Sequence, residues 1–149
     1  MSRASKANGH IGDARGWANV LADVPLLAGL SRRQLNKVAA AGVLRRFYDK
    51  TAIVRAGDTD GTLYIVLDGA VSVRRRGLPN FTLGLGSVFG EMALLDGGPR
   101  SATVVAEGPV TCLAVPQPRF LKVLRTEPAI ALALLKELAM RLRAVQSGL

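Results

Sequence analysis

The chain has 149 residues and a formal net charge of +9, with 49% of residues hydrophobic and 5% aromatic. That is room for one domain with an aliphatic core, and the apolar content excludes a disordered chain. One cysteine and one histidine exclude an internal disulfide, withhold the ligands of a structural zinc or histidine-metal site and leave almost nothing for acid–base or nucleophilic catalysis, while the charge favours anionic partners.

Met1 to Gly16 reads as a mobile leader, basic and rich in Gly, Ser and Ala but without the apolar core of a secretory signal; His10 falls in it. Residues 17–42 read as an N-terminal helical subdomain. Trp17 to about Leu21 forms a short helix, and a better one opens at Ser31, where Gln34 stands as the second half of a capping box. Leu35, Val38 and Ala39 give it an apolar face, and Gly42 suits the position just past its end.

From Val43 the pattern changes to short β-type runs: Val43 to Tyr48, Ala52 to Arg55, Leu63 to Leu67, Ala70 to Val73, Phe81 to Leu83, Ser101 to Ala106 and Val110 to Val115. Asp68-Gly69 between two alternating runs predicts a hairpin turn. About seven or eight such strands imply an antiparallel sandwich, jelly roll or barrel over residues 43–115. Residues 116–149 return to helix, with Arg119 to Arg125, a bend at Thr126-Glu127-Pro128, and a longer helix from Ala129 to about Gln146. Ile130, Leu134, Leu138, Leu142 and Val145 make one stripe, but Leu132, Leu135 and Met140 lie off it. This helix carries apolar surface for a second contact, with a ligand, a partner protomer or an output domain. The longest apolar run near the C-terminus, Ala129 to Leu135, is far short of the roughly 20 residues of a membrane helix. The single cysteine, Cys112, fits a reducing cytoplasm.

The stretch from Gly84 to Thr103 interrupts the strands with glycines, the acid Glu91, a short apolar turn, a Gly-Gly-Pro break and then Arg100-Ser101. Glycines let backbone N–H groups approach an anion, a short helix after Gly90 turns its positive end toward it, and Arg100 can fork two hydrogen bonds onto phosphate oxygens. Glu91 beside an anion site makes sense as the acceptor for a sugar hydroxyl. The implied ligand has one anionic phosphate and one free hydroxyl. The spacing of Gly84, Gly86 and Gly90 is not the dinucleotide fingerprint, and there is no P-loop. Arg74-Arg75-Arg76 reads as a solvated turn, and the C-terminal segment has no room for a helix-turn-helix, so nucleic acid is not an expected partner. The plainest alternative for Glu91 and Arg100 is an ion pair across a turn.

These residues carry a resemblance. Phe89-Gly90-Glu91-Met92-Ala93-Leu94-Leu95, then Pro99-Arg100-Ser101-Ala102-Thr103-Val104, closely resembles the phosphate-binding cassette of cyclic nucleotide-binding domains, the regulatory β-rolls of protein kinase A, the catabolite activator protein and cyclic-nucleotide-gated channels. The similarity runs from about Val24 to Arg143 and includes Gly57-Asp58, Leu63 to Val66 and Asp68 to Val71. Gly57-Asp58-Thr59-Asp60-Gly61 carries its second Asp and Gly in an order less usual for the family. The resemblance implies that Glu91 accepts the ribose 2′-OH, that Gly90, Met92 and Ala93 supply backbone contacts, that Arg100 and Ser101 hold the cyclic phosphate, and that Thr103 lies near the purine. It also implies a C-terminal lid helix whose Arg141, with Leu138 and Leu142 beside it, closes over the base.

The expected fold is therefore α+β and mainly β: an antiparallel jelly-roll-like β-roll, with the cassette at 84–103, flanked by N-terminal helices and a C-terminal lid helix. The expected function is a cytoplasmic, non-enzymatic cyclic nucleotide sensor, for cAMP rather than cGMP, with no metal or other cofactor. Ligand binding moves the terminal helix as Leu94 or Leu95 repacks against Phe120 and Leu124. Its expected partners are an unidentified effector or output domain and a second copy through the C-terminal helix. The alternative is a degenerate β-roll serving only as a protein-interaction module.

Overall fold

A computed structural model describes residues 14–147. His10 and residues 1–13 of the expected leader lie outside the described residues. Two helices open the described residues, α1 over Ala14–Ala22 and α2 over Arg32–Ala40, with a 3-10 turn at Pro25–Leu27 between them. The capping box forms: Ser31 Oγ accepts from the Gln34 N–H at 3.2 Å, and the Ser31 N–H donates to Gln34 Oε1 at 2.8 Å. Gly42 does follow the helix, but its φ is not positive. A Cβ there would come within 2.8 Å of the Leu113 side chain, so close packing on the sheet is what requires glycine.

The sheet has six strands, β1 (Val43–Phe47), β2 (Ala52–Val54), β3 (Leu63–Arg74), β4 (Phe81–Leu83), β5 (Val88–Phe89) and β6 (Thr103–Val115). The order is β1-β6-β3-β4, with β2 also on β6 and β5 also on β3, all antiparallel. The predicted hairpin at Asp68-Gly69 does not form. Both of its runs belong to the single strand β3, which pairs with β6 from Leu63↔Val115 to Arg74↔Thr103 and shifts register between Val66 and Ala70. Gly69 has φ +92, and a Cβ there would strike the Pro109 carbonyl, so the Asp-Gly pair makes a bulge inside a strand rather than a turn between two. For the same reason the two runs expected at 101–106 and 110–115 are one strand, beginning at Thr103 rather than Ser101.

The bulge decides which side chains face where. Before it, Tyr64 and Val66 point into the roll and Leu63, Ile65 and Leu67 toward the helices; after it the parity changes, and Val71 and Val73 join the roll interior. Inside the roll Tyr64 stacks on Phe89 at 5.0 Å between centroids and 11° between planes, and burial pushes the Tyr64 hydroxyl above its ordinary pKa. Cys112 lies in the same cluster, where burial pushes its thiol up to about 12. In the free protein the Cys112 side chain is thus a buried neutral thiol that packs as a small apolar group.

Three more helices complete the fold: α3 (Glu91–Asp96), α4 (Gln117–Thr126) and α5 (Pro128–Ser147). They and the N-terminal helices cover the outer face, where Leu94, Phe120, Ile130 and Leu134 pack with Leu26, Leu27 and Leu35. Glu127, between α4 and α5, accepts from Arg33 Nη2 at 3.0 Å and pairs with Lys37 at 3.5 Å. The Arg33 hydrogen bond is the main reason its carboxyl lies below the usual carboxylate range. The α2 helix is thus pinned to the α4–α5 bend. On α5 the stripe is covered only in its first half: Ile130 and Leu134 are buried, whereas Leu142 and Val145 are exposed, as are Leu132, Leu135 and Met140. Among the described residues no helix is long and apolar enough to cross a membrane, and no cluster of His, Cys, Asp and Glu could hold a metal.

Candidate ligand-binding site

The cassette opens onto a cavity of about 310 Å³. One side is lined by Gly90, Glu91, Met92, Ala93, Pro99, Arg100, Ser101 and Ala102; the other is an apolar wall of Val54, Val73, Phe81, Leu83, Val88, Phe89 and Val104 from the roll. A small charged end joined to an apolar wall suits a ligand with an anionic group and a flat ring system.

Arg100 is the anchor. It is only 5% exposed, in a position where an arginine must be heavily partnered. Its Nη2 donates to the Thr62 carbonyl at 2.7 Å, its Nη1 reaches the Gly90 carbonyl at 3.4 Å, and Asp60 Oδ2 lies 3.8 Å away. Asp60 also accepts from the Thr62 N–H at 3.1 Å and from Thr62 Oγ1 at 2.8 Å, which fixes the carbonyl that Arg100 uses. The backbone is held as well: the Arg100 N–H donates to Asp58 O at 2.7 Å, and the Gly57 N–H to Arg100 O at 2.9 Å. Through all of this the buried Nε–H has no hydrogen-bond partner.

Gly90 is irreplaceable on two counts. It caps α3 with φ +91, and a Cβ there would strike Arg100 Nη1 and stand 2.7 Å from Thr62 O. Behind it Glu91 opens the helix with its side chain 26% exposed and pairs with Arg141 Nη1 at 3.8 Å. Glu91 and Arg100 are therefore not an ion pair across a turn; each has a different partner. Arg141 also lies 3.7 Å from Glu137 on its own helix.

Of the residues singled out from the sequence, Gly90, Glu91, Met92, Ala93, Arg100 and Ser101 all line the cavity. Thr103 and Arg141 do not: the Thr103 hydroxyl accepts from the Ala56 N–H at 3.0 Å, and Arg141 stands beside the cassette on α5. Missed by sequence reasoning were Asp60 and Thr62, which orient Arg100, and the ring wall of Val73, Phe81 and Leu83. The Asp60-Gly61-Thr62 order carried a usable signal, since an Asp two residues before a Thr commonly accepts from that residue's N–H. For the wall there was none, because it is assembled from two strands, β3 and β4, that meet only in the folded sheet.

The model of the cyclic nucleotide-binding domain family matches residues 44–127, more than half of the chain. A cyclic nucleotide-gated potassium channel of Mesorhizobium japonicum is 36% identical over 118 residues, covering 78% of this chain and 32% of the channel. Among solved structures, the N-terminal domain of a transcriptional regulator from Streptomyces coelicolor is similar with a TM-score of 0.78 and 30% identity, covering 87% of this chain and 94% of that one. The regulatory domain of Toxoplasma gondii PKA, crystallised with cAMP, is similar with a TM-score of 0.71 and 27% identity, over 86% of this chain and 50% of that one. The curated relatives are much longer proteins, of which this chain spans 10% to 32%. Matched by the family's model over residues 44–127 and by solved domains over most of its fold, the chain belongs to the cyclic nucleotide-binding domain family.

Proposed function

We propose that this domain binds a purine 3′,5′-cyclic nucleotide, cAMP in preference to cGMP, and converts binding into movement of α5. The observation that carries the reading is Arg100: a buried arginine lining the cavity with an Nε–H that no protein group accepts. A cyclic phosphate oxygen supplies the missing acceptor. Glu91 takes the ribose 2′-OH, Ser101 adds a hydroxyl at the phosphate, and the backbone of Gly90, Met92 and Ala93 frames the sugar. The apolar wall supports a preference for adenine, the less polar purine, since it offers no donor to guanine's keto oxygen and no acceptor to its ring N–H. When α5 closes, Arg141 passes from Glu91 to the base and Thr103 stands at the purine's edge. A similar solved domain holds cAMP.

Calorimetric titration of the chain with cAMP and cGMP tests this. One cAMP per chain is expected, bound more tightly than cGMP, with a shallow dependence on salt. Glu91→Gln should weaken cAMP roughly tenfold to a hundredfold, the range of a hydrogen bond to a charged group, yet leave 2′-deoxy-cAMP unaffected. Absence of binding by either nucleotide would remove the reading and favour a protein-interaction module.

The output surface is α5. Leu132, Leu135, Ala139 and Leu142 are exposed and follow the alternating three- and four-residue spacing of a coiled-coil seam. That spacing favours a second copy of the chain over an unrelated effector. Sedimentation velocity should find a dimer that Leu135→Glu dissociates; a monomer at all concentrations would return the surface to an effector.

A further inference from the structure

The apolar contact between Leu94 and Phe120 lets α4 respond to α3, but apolar contacts are non-directional and permit sliding. A polar contact between the same helices does not. Gln117, the first residue of α4, donates from Nε2 to the Leu94 carbonyl at 2.7 Å. Leu94 lies near the end of α3, where carbonyls run out of donors from their own helix. The Gly97 N–H goes to Ala93 O at 2.9 Å, and the Gly98 N–H goes to Asp96 Oδ1 at 2.8 Å. Gln117 supplies the donor that the next turn withholds.

The same amide rests on Gly61. A Cβ built there would lie 2.9 to 3.1 Å from Cδ, Oε1 and Nε2 of Gln117, so an added methyl would push the amide from its place. Gly61 is bracketed by the two residues that hold Arg100, Thr62 at 2.7 Å and Asp60 at 3.8 Å. One side chain at the start of α4 thus touches both parts of the cassette support: the helix that begins at Glu91, and the loop that orients the phosphate-reading arginine.

We infer that Gln117 is a positioning residue that makes α4 travel with α3 and the 60–62 loop, so that occupancy at Arg100 is passed to α5 through a directional tie rather than through apolar repacking alone. The inference rests on the cyclic nucleotide reading of the cavity. Stretching the Gln117–Leu94 hydrogen bond weakens it steeply, and breaking it leaves a part-buried carbonyl unpaired, so motion of α3 draws α4 along.

Hydrogen exchange read by mass spectrometry, with and without saturating cAMP, tests this on wild type, Gln117→Leu and Gly61→Ala. In wild type, cAMP should slow exchange in the cassette and alter it in α4 and α5. Gln117→Leu should bind cAMP within about threefold of wild type and keep the cassette response, but lose most of the α4 and α5 response. Gly61→Ala retains the donor but displaces it, and should act in the same direction; it carries the test if Gln117→Leu does not fold. A merely structural glutamine would lower Tm equally with and without ligand and leave the ligand-induced difference intact. An undiminished α4 and α5 response in both variants overturns the inference, as does a wild type that binds cAMP without any such response. A wild type that binds neither cAMP nor cGMP fails at the cavity itself, and the inference falls with that reading.

Discussion

Arg100→Ala is expected to weaken cAMP binding roughly thirtyfold to a few thousandfold, the equivalent of about 2–5 kcal/mol for removing one partner of a buried, hydrogen-bonded charge pair. The loss is large because the guanidinium is 5% exposed and already oriented. Contacts to Thr62, Gly90 and Asp60 fix its plane before any ligand arrives, so little ordering cost is left to binding. Arg100→Lys should fall between the two. It keeps the charge but cannot span Thr62 O and a phosphate with one rigid fork. Calorimetry gives the affinities, and a thermal melt without ligand separates lost binding from lost folding. Equal affinity for cAMP in wild type and Arg100→Ala would sink the assignment of the phosphate site.

The largest effect on stability is expected at Phe120. Phe120→Ala should cost about 3–5 kcal/mol, the usual range for truncating a fully buried phenylalanine, which is a large part of the roughly 5–15 kcal/mol that holds a domain together. Phe120 is 1% exposed and packs in the outer cluster with Leu94, Leu134 and Leu26. Those neighbours come from α3, α5 and the N-terminal turn, so they cannot all collapse into the space left behind. Urea unfolding followed by circular dichroism should show the midpoint falling with the slope unchanged. A loss under about 1 kcal/mol would mean that the helices around this ring repack freely.

Much of this was legible in the chain where local chemistry decides the outcome. Ser31 and Gln34 are three residues apart and cap α2 as the pattern requires. The cassette was readable because its glycines, acid and arginine lie within one short stretch, and six of the residues singled out from it line one cavity. Asp68-Gly69 was misread because the local preference of an Asp-Gly pair is for a turn, whereas β3 and β6 pair along nearly their whole lengths. The long ladder outweighs the local preference and absorbs the pair as a bulge. Asp60, Thr62 and Gln117 stayed hidden for another reason. Their roles depend on Arg100 and Leu94, which lie tens of residues away in the chain and meet them only in the folded domain. Thr103 lies outside the cavity lining, and its hydroxyl accepts from the Ala56 N–H, a partner 47 residues away that the local run does not reveal.

The change of parity at Gly69 sets how this domain can vary in length. Losing or gaining one residue between Leu67 and Ala70 would turn Val71 and Val73 out of the roll, and with Val73 one panel of the cavity wall. The exposed turn from Arg75 to Asn80 is under no such constraint, since the strands on either side of it are held by their own pairing. Insertions belong in that outer turn; β3 behaves as a ruler whose count cannot drift while the cavity keeps its shape.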